Sequence, residues 1–216
     1  MLRLASKITR LTLESKNKQV TQAKKMIGQA DASKKSIKTE IIGCTVILQC
    51  INNDGAAVEL QEKNSSQHVM KKMFDKFQDL KTWHEWSSPL HSKAYFHNNQ
   101  KTNTLSIGTK FSQDLNLGFP IGSKTSHECI TGLISSEEQC TIQWSKEEGG
   151  LASCHIWSFD CLSSTQLQIT NVEVFHGIPM VLVRPLVSKK WNQLFEQSLE
   201  GFLKEFNVVT NQVEVE

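Results

Sequence analysis

The sequence predicts an α+β fold in which an antiparallel sheet covers one face of a long C-terminal helix. Six consecutive segments alternate apolar and polar residues with the period of a strand, and short polar turns separate them. Their ranges are 92–97, 105–115, 123–134, 139–146, 151–161 and 166–175. Strands in such an order, joined by short turns, indicate antiparallel pairing because parallel neighbours need long crossover connections.

The C-terminal helix is predicted by an apolar stripe at helical spacing. Its members are Trp191, Leu194, Phe195, Leu199, Phe202, Leu203 and Phe206. Side chains this large must be buried, and the sheet is the available surface. Ser188 is the predicted N-cap, and Pro185 either kinks the helix or delays its start.

The region before the meander predicts a hairpin and two short helices. Segment 41–51 is rich in Ile, Val, Cys and Thr, and the Asn-Asn-Asp-Gly turn at 52–55 leads into a returning strand at 57–62. Apolar residues then recur at helical spacing from Val69 to Phe77, and a second short helical segment ends before Pro89.

The first 39 residues form a basic leader that we expect to be flexible and separate from the core. Residues 1–40 hold ten Lys or Arg against three Asp or Glu. Leu4, Ile8 and Leu11 fall at helical spacing between basic residues, so the alternatives are a solvated extension, a mitochondrial transit peptide and a membrane-surface helix. The predicted division is therefore a leader at 1–39, one domain at 40–210 and a tail at 211–216.

Composition and residue spacing argue against a nucleic-acid-binding protein and against a metal site. The chain lacks a basic face interleaved with aromatic residues, so no nucleic-acid partner is expected. The six cysteines form no C-x-x-C pair, and His84, His91 and His97 match no ligand spacing, so we expect no metal, no cofactor and solvated loop histidines. Without a secretory signal we expect an intracellular protein, cytoplasmic rather than mitochondrial unless the leader is a transit peptide.

The most informative segment is 149–177, which predicts two strands joined by a polar turn. A turn centred on Ser164 places His155 opposite Glu173 and Trp157 opposite Asn171 on one face. Aromatic rings with one histidine and one carboxylate are typical of a pocket lining. The two ionisable residues are candidates for an acid–base pair, for ligand orientation, or for a purely structural hydrogen bond.

Three segments resemble a known superfamily. Asp79, Trp83 and Trp86 are similar to its D…W..W helix, and the strand that runs from Gly149-Gly150-Leu151 to Phe159 resembles the strand that precedes its E-x-F-x-G strand end. Glu173, Phe175 and Gly177 match that strand end. Over residues 66–206 the chain resembles the START-like helix-grip (SRPBCC) superfamily, closest to its polyketide cyclase/dehydrase and lipid transport group. The hairpin at 41–62 departs from the single first strand of those relatives.

The resemblance implies a helix-grip fold, in which a curved antiparallel sheet wraps around the C-terminal helix and encloses a cavity. The residues expected to line that cavity are Trp83, Trp86, Phe111, Phe119, Trp144, His155, Trp157, Phe159, Asn171, Glu173, Phe175, Trp191 and Phe195. Trp83 and Trp86 would lie near its mouth. The alternative is that the aromatic residues only fill the core.

The leading functional hypothesis is binding or transport of a small hydrophobic molecule, such as a lipid, sterol, polyketide or aromatic metabolite. A cyclase or dehydratase that uses His155 and Glu173 for proton transfer is the first alternative. A cochaperone-like or quinone-binding interaction module is the second, with membrane contact through the leader. Binding without catalysis is favoured, and the oligomeric state is left open.

Overall fold

A nine-stranded sheet and three α-helices make up the described part of the computed structural model, residues 3–10, 39–51, 65–87, 90–97, 105–118, 122–148, 151–176 and 178–210. The strands are β1 Arg3–Arg10, β2 Thr39–Ile51, β3 His91–Phe96, β4 Lys110–Asn116, β5 Ser123–Ser135, β6 Gln139–Glu148, β7 Leu151–Cys161, β8 Gln166–His176 and β9 Val209–Thr210. The helices are α1 Ser65–Gln78, α2 Trp83–Trp86 and α3 Ile178–Lys204, and a 3₁₀ turn, Leu80–Thr82, joins α1 to α2. The predicted helix-grip fold is confirmed: a curved antiparallel sheet with two short helices and a long C-terminal helix.

The strand order is β3-β4-β5-β6-β7-β8-β2-β1-β9. From β3 to β8 each strand pairs antiparallel with the next in the chain, and β2 then pairs with β8. β1 adds an antiparallel strand to β2, and the short β9 runs parallel to β1. The predicted register between β7 and β8 is confirmed, with His155 opposite Glu173 and Trp157 opposite Asn171.

The apolar stripe of α3 is buried against the concave face of the sheet from Trp191 to Leu203, as the sequence predicts, whereas Phe206 lies beyond the end of the helix and is half-buried. Trp191, Leu194 and Phe202 are among its buried side chains. A Cβ atom on Gly201 would lie 1.8 Å from the carbonyl oxygen of Trp86, so glycine permits the close contact between α3 and α2. Within the described part of the chain, no helix combines the length and the apolar character that a membrane crossing demands.

Phe77 of α1 is the centre of a dense aromatic cluster on one half of this concave face. Its ring centroid lies between 4.7 and 6.2 Å from those of six other rings. These rings belong to Trp83, Trp86, Trp144, Trp157, Phe159 and Phe202, and we call the seven residues the Phe77 cluster. Helix α1 brings Phe77 there because Met70, Met73 and Phe77 recur on its buried face.

Two predicted boundaries differ from the structure. Helix α3 begins at Ile178, so Ser188 is not its N-cap and Pro185 lies inside the helix. Burial of the stripe outweighs the cost of an interior proline, about 3 kcal/mol. Strand β4 begins at Lys110 rather than at residue 105, because Gly108 has a positive φ of 86° in a turn where Thr109 N–H donates to the Ser106 carbonyl.

The leader is also organised differently from the prediction. Residues Arg3–Arg10 form a strand, so the amphipathic helix predicted from Leu4 and Ile8 is wrong at these positions. A spacing of four residues fits the two-residue period of a strand as well as the helical one. The first strand of the predicted hairpin is β2, which pairs with β8 and with β1, whereas the turn at 52–55 and the returning strand at 57–62 lie outside the described residues. The division into leader, domain and tail stays a prediction, with residues 3–10 as a part of the leader that joins the sheet.

Candidate ligand site

A cavity of about 130 Å³ lies between the sheet and α3, beside the Phe77 cluster. Its apolar lining consists of Leu90, Leu115, Leu117, Leu151, Phe175, Trp191, Leu194 and Phe195. Its polar lining consists of His91, Gln113, Lys124, Glu128, Lys146, Glu148, His155 and Glu173. The helix α3 therefore contributes apolar side chains, whereas the strands contribute both apolar and ionisable ones.

Strand alternation explains why charged side chains face inward. On β6, Lys146 and Glu148 lie two and four residues beyond Trp144, so all three share a face. On β5, Glu128 lies two residues before the buried Ile130. The same alternation that buries aromatic residues at one end of these strands therefore points charges into the cavity at the other.

Glu128 is the centre of a polar network. Its Oε1 accepts hydrogen bonds from Ser126 Oγ at 2.5 Å and from Gln113 Nε2 at 3.2 Å, and Lys146 Nζ lies 3.6 Å away. Lys146 Nζ also donates to Ser126 Oγ at 2.6 Å. Burial raises the pKa of the Glu128 carboxyl, while the charge of Lys146 and the two hydrogen bonds oppose that shift.

Lys124 and Glu148 form a second ion pair at the rim of the cavity. Lys124 Nζ donates to Glu148 Oε2 at 2.5 Å, and both side chains are more than a third exposed. This hydrogen bond and the lysine charge hold the pKa of Glu148 below its ordinary value. The exposure marks this pair as the solvent-facing edge of the polar wall, where ion pairs contribute little to stability.

His155 is packed between two aromatic rings and is neutral. Its ring centroid lies 4.4 Å from that of Trp144 and 5.0 Å from that of Phe195. Nε2 of His155 lies 2.7 Å from Asn171 Oδ1, and Asn171 Nδ2 donates to the Phe195 carbonyl, so Nε2 carries the proton. Burial lowers the pKa of His155 to about 4, against the opposing effect of the Asn171 hydrogen bond.

Glu173 faces His155 across the strand pair, yet the histidine bonds to Asn171 instead. Burial raises the pKa of the Glu173 carboxyl, and the charge of Lys146 and a hydrogen bond from Ser153 oppose the shift. The described residues thus hold no hydrogen-bonded His155–Glu173 pair.

His91 is a cavity residue that the sequence placed in a solvated loop, and that prediction is wrong. It is 4% exposed, and its Nδ1 lies 2.7 Å from Ser87 Oγ, which in turn lies 2.5 Å from Ser198 Oγ of α3. Burial lowers its pKa to about 3. Ser87, four residues before His91, contacts Ser198 of α3, and this packing against α3 buries the ring.

Two buried polar atoms of the cavity lining lack a well-formed hydrogen bond. The indole Nε1 of Trp191 has no partner among the described residues, although its side chain is buried. Oε1 of Gln113 faces the His91 ring without a hydrogen bond of normal geometry. A buried donor or acceptor without a partner costs about 1–3 kcal/mol, so such atoms indicate a place for a ligand or a water molecule.

Five of the thirteen predicted lining residues meet at this cavity: His155, Glu173, Phe175, Trp191 and Phe195. Seven do not line it: Trp83, Trp86, Phe111, Trp144, Trp157 and Phe159 pack in the apolar core, and Asn171 supports His155. Phe119 lies outside the described residues. The placement of Trp83 and Trp86 near a mouth is wrong, since both are buried.

Sequence reasoning missed most of the polar lining. Gln113, Glu128 and Lys146 were not predicted, although each lies two residues from a buried apolar residue on its own strand. Extending the inward face of each predicted strand by one more alternation would have found all three. Most of the aromatic residues that were predicted to line the cavity lie in the packed half of the face instead.

The fold defines the class: the chain has the helix-grip fold, with a cavity beneath the long helix. Neither a protein-family model nor a curated protein sequence matches the chain. Among solved structures it is similar to a hypothetical protein of Helicobacter pylori, with a TM-score of 0.56, 13% identity, and coverage of 84% of this chain and 92% of that one. It is also similar to norcoclaurine synthase of Thalictrum flavum, with a TM-score of 0.51, 13% identity, and coverage of 80% and 99%.

A further structure of norcoclaurine synthase, in complex with dopamine and hydroxybenzaldehyde, has a TM-score of 0.50 at 14% identity and covers 79% of this chain and 89% of that one. At these identities the likeness establishes the shared fold.

Proposed function

We propose that the protein binds a small apolar molecule in the cavity between the sheet and α3. The observation that carries this proposal is the unpartnered indole N–H of Trp191 in the lining of that cavity. A ligand with an acceptor atom would satisfy this donor, and the rings of Phe175, Trp191 and Phe195 would cover the apolar part of the ligand.

The volume of the cavity favours a ligand built on one aromatic ring. An engineered cavity of about 150 Å³ holds benzene, so the 130 Å³ here suits a single ring with a short substituent. A sterol or a long acyl chain would need the cavity to enlarge. An aromatic metabolite therefore fits better than the lipid, sterol or polyketide alternatives, and a likeness to the polyketide cyclase group stays a prediction. Binding of dopamine and hydroxybenzaldehyde by a protein of the same fold supports this size range.

Binding without catalysis remains the favoured reading. His155 is neutral, is held by Asn171 and is stacked between rings, so its hydrogen bond is used structurally. The cyclase or dehydratase alternative has no hydrogen-bonded His155–Glu173 pair to support it among the described residues. The interaction-module alternative, the membrane contact of the leader and the cellular compartment stay predictions.

The test uses the full chain, 2-phenylethanol as a probe, and a variant that fills the cavity. Leu151 is the first residue of β7 and lines the cavity, so we expect Leu151→Trp to reduce the affinity for 2-phenylethanol at least about tenfold, which is about 1.4 kcal/mol. Isothermal titration calorimetry measures the affinity, and native mass spectrometry of the purified protein reports any small molecule that co-purifies.

The matched control is Leu162→Trp. Leu162 lies just beyond the other end of β7 and is 49% exposed, so the same substitution there should leave the affinity unchanged. Equal affinities of Leu151→Trp and the unmodified protein would place the probe elsewhere. Absence of binding by the folded, unmodified protein would refute the proposal.

A further inference from the structure

The described lining of the cavity contains one more acidic group than basic groups. Among the described residues, two lysines and three glutamates line it. Lys124 pairs with Glu148 at the rim, and Lys146 lies 3.6 Å from Glu128 inside. Glu173 is the third carboxyl, and no described cation lies within ion-pairing distance of it.

The histidines of the cavity cannot balance Glu173. Burial keeps the pKa of His91 at about 3 and that of His155 at about 4, so both rings are neutral at pH 7. Lys146 acts on Glu173 only at longer range, and its Nζ donates to Ser126 Oγ and lies 3.6 Å from Glu128. Burial raises the pKa of the Glu173 carboxyl, whereas a positive charge beside it would favour its ionised form.

The surroundings of Glu173 suit an organic cation better than a metal ion. Phe175 lies two residues further along the same face of β8, and its ring centroid is 5.2 Å from that of Trp191. Aromatic faces attract a cation within about 6 Å and also cover the apolar part of a ligand. A carboxyl beside aromatic rings offers one charged contact and a large apolar area, which is the pattern that an amine with a hydrocarbon body requires.

From this arrangement we propose that the ligand is a small aromatic amine whose ammonium group pairs with the Glu173 carboxylate. The inference rests on the proposed function, since it names the chemical class of the molecule in the same cavity. On binding, the ammonium keeps its protons, and any Glu173 carboxyl that is protonated releases its proton to solvent. The bound pair is then one carboxylate and one ammonium. The aromatic body lies against Phe175, Trp191 and Phe195, and a polar substituent reaches Trp191 Nε1.

Three probes of nearly equal size test this proposal by calorimetry at pH 7.5. They are 2-phenylethylamine, which is cationic, 2-phenylethanol, which is neutral, and phenylacetate, which is anionic. We expect the amine to bind the unmodified protein at least about tenfold more tightly than the alcohol, and the acid to bind more weakly than both. An anion bound through Lys146 would reverse this order and overturn the proposal.

Substitution of Glu173 identifies the group responsible. Glu173→Gln keeps the size of the side chain and should remove the preference for the amine over the alcohol, a change of about tenfold or more in the ratio of the two affinities. Glu147→Gln is the matched control, because Glu147 is exposed, lies on β6 and is not part of the cavity lining. An unchanged preference in Glu173→Gln would overturn the assignment.

The outcomes separate the two proposals. Failure of both the amine and the alcohol to bind would refute ligand binding in this cavity altogether. Binding of the alcohol with no preference for the amine would refute only the assignment of the amine. If Glu173→Gln does not fold, the order of the three affinities in the unmodified protein still decides the question.

Discussion

The two halves of the concave face use the same kind of side chain for different purposes. In the Phe77 cluster, seven aromatic residues fill the space between α1, α2, α3 and the sheet. Beside it, Phe175, Trp191 and Phe195 border an open volume whose other wall is ionisable. Aromatic content therefore does not distinguish a pocket from a core in this fold. Charged residues at inward strand positions do, because a charge is tolerated there only beside a partner or a polar cavity.

The largest expected difference between the halves concerns phenylalanine removal. Phe77→Ala should lower the free energy of unfolding by about 3–5 kcal/mol, because it leaves a void amid six rings. Phe175→Ala should cost less, about 2 kcal/mol, because Phe175 already borders a cavity. Urea denaturation measures both values, and equal losses would contradict the division into a packed half and an open half.

The loss of folding stability at low pH should come mainly from the buried histidines around the cavity. The pKa of His155 is about 4 in the folded state against 6.5 for an unperturbed histidine, so the unfolded state takes up a proton first as the pH falls. Its contribution to stability is complete above pH 6.5 and is lost toward pH 4, by about 3 kcal/mol in total.

His155→Phe keeps a ring between Trp144 and Phe195 and removes the titrating group. We expect its unfolding free energy to fall less between pH 7 and pH 4.5 than that of the unmodified protein, by about 2 kcal/mol or more. Denaturation at the two pH values measures this difference. An identical loss in both proteins would show that another group causes the fall in stability at low pH, and His91 would be the next residue to substitute.

The smallest expected effect compares two tryptophans. Trp83 Nε1 donates to the Phe77 carbonyl at 2.7 Å, whereas Trp191 Nε1 has no partner among the described residues. Trp83→Phe should therefore cost about 2 kcal/mol, while Trp191→Phe should stay within about 1 kcal/mol because it also removes an unsatisfied donor. Thermal unfolding of the two variants makes the comparison. A larger cost for Trp191→Phe would show that its indole N–H is satisfied in solution.

Much of the fold follows from local sequence patterns. The strands from 123 to 175 and the buried stripe of α3 agree with the structure to within a few residues, because alternation and helical spacing are properties of the chain itself. The register of His155 with Glu173 also follows, since a short turn between adjacent strands sets their pairing. The start of α3 cannot be predicted in this way. The rule that proline interrupts a helix considers only neighbouring residues, whereas the burial that outweighs the cost of Pro185 comes from contacts with the sheet.

What the sequence by itself determined is the order of the elements and the face on which each strand residue lies. Only the tertiary structure decided which part of the concave face is filled and which part is open. That outcome depends on where α1, α2 and α3 cross the sheet: Phe77 fills one half, and Gly201 lets α3 approach Trp86. The tertiary structure also determines that His155 bonds to Asn171 and not to Glu173. Both residues face His155 across the strand pair, and packing sets which of them its ring nitrogen reaches.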